Sequence, residues 1–193
     1  MANYSFAVWM VLSAGLLLLF VYAAWINLRR RHMPEVDLDE VVAFLLPVNV
    51  EAFAEAMDAT QDAYLRHSHS RLEFQKLQRK RMRLAAEYLR RMSHNAALLQ
   101  RVGYGQLRSS NPLVAAQAQE LIDAGVHVRL YAFLGLGALF FRRISGLGFS
   151  GISEVQKLMS SSLIPAYESL RTKAGELTTL RDTAFRDALA RSL

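Results

Sequence analysis

The sequence predicts an all-α protein: one N-terminal transmembrane helix followed by a coiled-coil-like bundle of three long antiparallel helices on the cytoplasmic side. Three observations predict it. Residues 4–28 carry no charge, apolar residues downstream recur at spacings of three and four, and no stretch alternates with the two-residue period of a strand.

The N-terminal run, YSFAVWMVLSAGLLLLFVYAAWINL, is 25 residues long. At the helical rise of about 1.5 Å per residue it exceeds a hydrocarbon core of about 30 Å. Tyr4 and Trp9 at one end and Tyr22 and Trp25 at the other have the placement of interfacial aromatic belts. Arg29, Arg30, Arg31 and His32 follow at once, and no charge precedes the run. Positive charge on the C-terminal flank places residues 1–3 outside and the body in the cytoplasm. A cleaved signal peptide would carry its charge ahead of a shorter apolar core, so a retained single-pass anchor in the cell membrane is the expectation.

After the anchor, residues 29–49 read as a juxtamembrane linker with a short helix. Asp37 and Glu40 have capping-box spacing ahead of VVAFLL, and Pro47 ends the segment. Residues 50–193 read as the cytoplasmic helical domain. Asn49 caps a helix over about 50–102, with Glu51 in its first turn and no Gly or Pro until Gly103. Its apolar stripe is Val50, Phe53, Met57, Tyr64, Phe74, Leu77, Leu84, Tyr88, Met92, Leu99 and Val102. Strict heptads fail: steps of seven from Phe74 meet Arg81 and Asn95, and from Leu77 they meet Arg91. That excludes an uninterrupted two-stranded coiled coil and favours packing on the chain's own later helices.

The second long helix, about 112–144, starts at Ser110 or Asn111 as cap with Pro112 in the first turn. It contains the apolar run LYAFLGLGALFF at 130–141, closed by Arg129 and by Arg142 and Arg143. Twelve residues reach roughly 18 Å, short of a bilayer core, so this run is expected to be the buried centre of the bundle, with an interfacial or re-entrant placement as the alternative. Glycines at 145–151 (SGLGFSG) mark a turn. The last helix, about 153–190, carries Val155, Leu158, Met159, Leu163, Leu170, Leu177, Leu180, Ala184 and Ala188 on one stripe, with a kink expected at Pro165.

The charge is segregated. Residues 33–65 hold Glu35, Asp37, Asp39, Glu40, Glu51, Glu55, Asp58 and Asp62 and no base, whereas 66–108 hold eleven Lys or Arg against Glu73 and Glu87. On a helical wheel Lys76, Arg79, Lys80, Arg83, Arg90 and Arg101 fall within about 100° of one another, opposite the apolar stripe. This face is the candidate interaction site, for anionic lipid or for a protein partner. Nucleic acid fits less well, because no groove-entering motif or aromatic platform accompanies the charge.

Catalytic and cofactor signals are weak, and no cofactor or metal is expected. The chain has no Cys, which excludes disulfides, thiolate nucleophiles and thiolate-bound metals. His67 and His69 are two apart and diverge by about 200° on a helix, so they share no metal. His94 and His127 have no orienting carboxylate at helical spacing. Glu51, Glu55, Asp58 and Asp62 share a face but lack the Glu-x-x-His unit of di-metal bundles, and read as a solvated acidic face. The function expected is therefore a tethering or scaffold module at the cytoplasmic membrane face. The alternative is a membrane-tethered enzyme or ligand-binding bundle with a site between helices around His127, Arg129 and Tyr131.

Overall fold

In the computed structural model the described residues are 41, 43–145 and 152–192; at 59, 61–63, 66, 141–145, 152–160, 181 and 183–192 it describes the backbone alone. The apolar run at 4–28, its Arg29, Arg30, Arg31 flank, the expected 37–40 capping box and all but Ser145 of the turn expected at 145–151 lie outside them, and Ser145 ends a helix. The described residues are all-helical and contain no strand. Their helices are α1 (Val50–Ala56), α2 (Ala59–Ser68), α3 (Arg71–Gln106), α4 (Pro112–Ser145) and α5 (Ile152–Ser192).

The single helix expected over 50–102 is thus three helices, and each break has a local cause. At the first, Asp58 is extended and its carboxylate accepts the Thr60 backbone N–H at 2.8 Å, capping α2. The carbonyls of Glu55 and Asp58, left over where α1 ends, accept from the Arg81 guanidinium at 3.1 and 3.0 Å. At the second break His69 and Ser70 are extended. Ser70 and Glu73 form a full capping box, each side chain bonding the other's backbone N–H, and α3 starts there. Neither break needs a Gly or Pro, because short polar side chains compete with the helix for backbone donors.

Two expected caps are present. Asn49 accepts the Ala52 N–H at 2.8 Å to open α1. Asn111 accepts the Leu113 N–H at 3.0 Å to open α4, with Pro112 as its first residue. The last helix is continuous from Ile152 to Ser192 with Pro165 inside it.

Long-range packing runs α3 on α4 and α4 on α5, while α3 and α5 meet only locally. The first pair is antiparallel: Gly103 of α3 faces Ala118 and Ile122 of α4, and Gln100 faces Ile122, Gly125 and Arg129. The second pair is antiparallel too, with Gln117 bonding Glu176 at 3.2 Å and Glu120 bonding Lys173. The core lies where the three overlap, filled by Leu89, Met92, Ala96, Leu121, Val128, Leu163, Leu170 and Leu177. On α5 the buried residues Leu163, Tyr167, Leu170 and Leu177 follow the spacing expected of a stripe. Phe53 of α1 closes one side, edge-on to the Tyr88 ring with centroids 6.3 Å apart.

Three packing expectations need correction. Tyr64 and Leu84, assigned to the buried stripe, are 71% and 42% exposed. Once the helix is divided, α2 no longer continues the face of α3, and Leu84 falls at the edge of the buried arc. The run at 130–141 is not the buried centre: Ala132 and Gly135 are buried there, but Phe133, Leu134 and Phe140 are 36%, 43% and 60% exposed. Burial on α4 is concentrated instead at Val114, Ala118, Leu121, Ile122, Ala124, Gly125 and Val128, where α3 and α5 both flank it. Apolarity states which residues gain by burial, and the partner helices decide where burial is available.

A Cβ on Gly125 would stand 2.4 Å from Cγ of the buried Gln100, so no other residue lets α3 and α4 approach this closely. Gly125→Ala is expected to lower stability by about 1–3 kcal/mol through overpacking. Gly175 on exposed α5 surface has nothing within 4 Å of its Cβ direction, so Gly175→Ala is expected to raise stability by roughly 0.5–1 kcal/mol. Chemical unfolding of the two variants beside the parent chain checks the pair of signs.

Candidate functional site

The charged face of α3 is built by exclusion. Two arcs of the helix are occupied: Gly103 and Gln100 turn to α4, while Arg81, Arg91 and Asn95 turn to the segment at 46–58. The remaining arc holds Lys76, Arg79, Lys80, Arg83 and Arg90, all exposed. Among the described residues none of these five has an ion-pair or hydrogen-bond partner. Arg101, the sixth residue of the predicted face, is half-buried with its Nε shielded from solvent, so it lies at the margin. The described ion pairs use other residues: Arg91 with Glu87 one turn back, and Lys173 with Glu120.

The basic residues outside this arc do a different job. Arg91 donates to the Pro47 carbonyl at 3.1 Å and its guanidinium lies 6.0 Å from the Tyr88 ring centroid. Asn95, 3% exposed, uses its whole amide: Oδ1 accepts the Leu46 N–H at 2.9 Å, and Nδ2 donates to the Leu46 carbonyl at 2.8 Å and to the Tyr167 hydroxyl at 2.9 Å. Arg81, Arg91 and Asn95 thus hold the main chain of 46–58 against α3. They are the residues that break the heptads, and that interruption was the signal in the sequence that they serve something other than a seam.

A second polar cluster ties α3 to α4. Gln100, 3% exposed, donates to the Ile122 carbonyl at 3.0 Å and accepts from Arg129 at 2.9 Å. Arg129 is therefore engaged in the α3 contact, with its Nε buried and without a hydrogen-bond partner among the described residues. His127 is exposed, and Tyr131, one turn on, is half-buried against the core. Arg129 projects from a different side of α4 than these two, so the three residues do not converge.

His67, His69, His94 and His127 are all exposed, and among the described residues no group of His, Asp and Glu is placed to hold a metal ion. The acidic face expected from Glu51, Glu55, Asp58 and Asp62 is divided by the break after Met57: the first two lie on α1, while Asp58 caps α2. Among the described residues one helix, Pro112–Phe140, is long and apolar enough to cross a membrane, and it is not the N-terminal one. Comparison of this chain with protein-family models, with curated proteins and with solved structures finds no match.

Asn95→Leu removes three hydrogen bonds and strands the Tyr167 hydroxyl in the core. It is expected to cost about 1–3 kcal/mol and to speed amide hydrogen exchange over 46–58 more than in α4.

The caps at the two breaks also titrate. The Thr60 hydroxyl, then its backbone N–H, hold the Asp58 carboxyl below the ordinary range, and the Ser70 hydroxyl and backbone N–H do the same for Glu73. Both carboxylates are favoured when folded, so their contribution is complete above the ordinary carboxylate pKa and is lost as pH falls through their lower folded values. Unfolding measured against pH is expected to show this loss, and Asp58→Asn with Glu73→Gln is expected to flatten it.

Proposed function

We propose that this chain is a non-enzymatic, single-pass membrane protein whose helical body, a three-helix bundle of α3, α4 and α5, tethers or organises a partner at the cytoplasmic face. The run at 4–28 is its anchor, and Arg29, Arg30 and Arg31 hold the body on the cytoplasmic side. The contact surface is the free arc of α3, with Lys76, Arg79, Lys80, Arg83 and Arg90 meeting an anionic partner and Arg101 at its edge.

The observation that supports this reading is the state of those five cations. A stretch with eleven bases against two acids leaves a row of like charges exposed on a helix whose other arcs are filled by packing. Like charges one turn apart repel one another by a few tenths of a kcal/mol per pair, so the row adds nothing to the stability of α3. An anionic partner turns that repulsion into attraction.

The test uses the full chain, tagged at either end, in cells. Alkaline carbonate should leave it in the membrane pellet, and external protease should remove an N-terminal tag while sparing a C-terminal one. Chemical crosslinking should capture a partner that is lost on changing Lys76, Arg79, Lys80, Arg83 and Arg90 together to Gln. Release by carbonate, or a crosslinking pattern indifferent to the five changes, would overturn the proposal.

A further inference from the structure

The segment at 46–58 and α2 fold back on α3 as a hairpin. Leu46 meets Asn95, Pro47 meets Arg91, Phe53 meets Tyr88 and Asp58 meets Arg81. The midpoints of these pairs in the sequence fall between 69 and 71, so the break between α2 and α3 is the turn of the hairpin. The turn consists of the extended residues His69 and Ser70 alone, at the short limit of about two to five for a connection between antiparallel helices.

Two features make this turn a hinge. The first is its chemistry: no Gly or Pro occurs between Pro47 and Gly103, so the local force against α2 and α3 joining in one helix is the Ser70 and Glu73 capping box. The second is the packing of α2: Thr60, Tyr64, His67 and Ser68 are exposed and Leu65 is half-buried, so none of its described side chains is buried. Closure is therefore carried by the grip of α3 on 46–58. That grip takes main-chain groups of Leu46, Pro47, Glu55 and Asp58, with Phe53 and Met57 buried beside them. A second copy of the chain offers the same groups at the same spacing.

We propose that two copies of this chain exchange their 46–58 segments. The turn at His69 and Ser70 opens, α2 and α3 join in one helix, and each segment seats on the α3 of the other copy. Each groove then keeps the bonds that Asn95, Arg91 and Arg81 make in the single chain. The joined helix gains the backbone bonds that the turn interrupts and gives up the capping box. Because the paired positions are centred on the turn, the two joined helices run antiparallel with the two-fold axis beside it, and the same patch meets on both copies. Short hinges are where such exchange is favoured. The exchange does not depend on the tether read above. The basic row of α3 takes no part in the grip, so an exchanged pair presents it twice, and two linked rows hold an anionic partner more tightly than one.

Because the chain has no Cys, introduced thiols report chosen places. Glu55 is exposed, and Leu84, 42% exposed, lies one turn from both Arg81 and Tyr88, which touch this part of the segment. Two differently tagged full chains, one with Glu55→Cys and one with Leu84→Cys, are co-expressed, purified in detergent micelles and treated with a short bismaleimide. A product carrying both tags is expected, and Glu55→Cys paired with Asp123→Cys, exposed on α4, should give severalfold less. Arg71→Pro puts proline at the first residue of α3, after the extended Ser70, where the closed turn accepts it and a continuous helix does not. It should cut the two-tag product severalfold while sparing the crosslink within one chain that carries both Glu55→Cys and Leu84→Cys. Ser70→Ala with Glu73→Ala, which removes the capping box, should raise the two-tag product. A two-tag product no greater than the Asp123 reference even without the capping box, or one indifferent to Arg71→Pro, would overturn the exchange. The crosslink within one chain verifies in each background that the segment still seats on α3.

Discussion

The side-chain amide of Asn95 meets three partners from two other parts of the chain, and the rest of the fold is arranged around it. An amide offers one acceptor oxygen and two donor hydrogens, and here all three are used: two bonds pair it with the N–H and carbonyl of Leu46, and the third reaches the Tyr167 hydroxyl on α5. Leaving any of these unmade inside the core costs more than the bond contributes when formed, so the arrangement acts as a register mark. It decides on which side of α3 the N-terminal segment and α5 lie. By elimination it leaves exposed the arc of α3 that carries Lys76, Arg79, Lys80, Arg83 and Arg90. Gln100 does the equivalent for the hairpin itself, bonding Ile122 and Arg129 in the space that Gly125 leaves.

Helical character was legible from the sequence, as were the caps at Asn49 and Asn111 and the stripe through Leu163, Leu170 and Leu177. These are features that spacing alone specifies, since a residue's angle on a helix follows from its number. The breaks were harder. Asp58 and Ser70 end helices without Gly or Pro, and their competitor is a local hydrogen bond that any Asp or Ser could make but few do. The Ser70-x-x-Glu73 spacing was nonetheless present to be read. Burial of 130–141 was misjudged for a different reason: hydropathy measures the gain on leaving water and carries no information on which arc of a helix its partners cover.

The heptad failures illustrate how an irregularity carries meaning. Arg81, Arg91 and Asn95 would each be a defect in a two-stranded seam, and they rightly excluded one. Their actual use, gripping the main chain of a preceding segment, depends on where that segment folds back, and spacing within α3 has no access to that. Polar residues on an otherwise apolar arc are better taken as a question about which backbone they serve than as noise in a stripe.

The grip on 46–58 is through main-chain atoms almost throughout: the Leu46 N–H and carbonyl, and the carbonyls of Pro47, Glu55 and Asp58. Every residue except proline offers both groups, and proline keeps its carbonyl. Sequence drift in this segment is therefore constrained mainly at Phe53 and Met57, whose side chains fill the core, and at the capping residues Asn49 and Asp58. The burden of heredity falls on the helix that does the holding. In a lineage descended from this chain, Arg81, Arg91 and Asn95 would change slowly while their bound segment was rewritten around them.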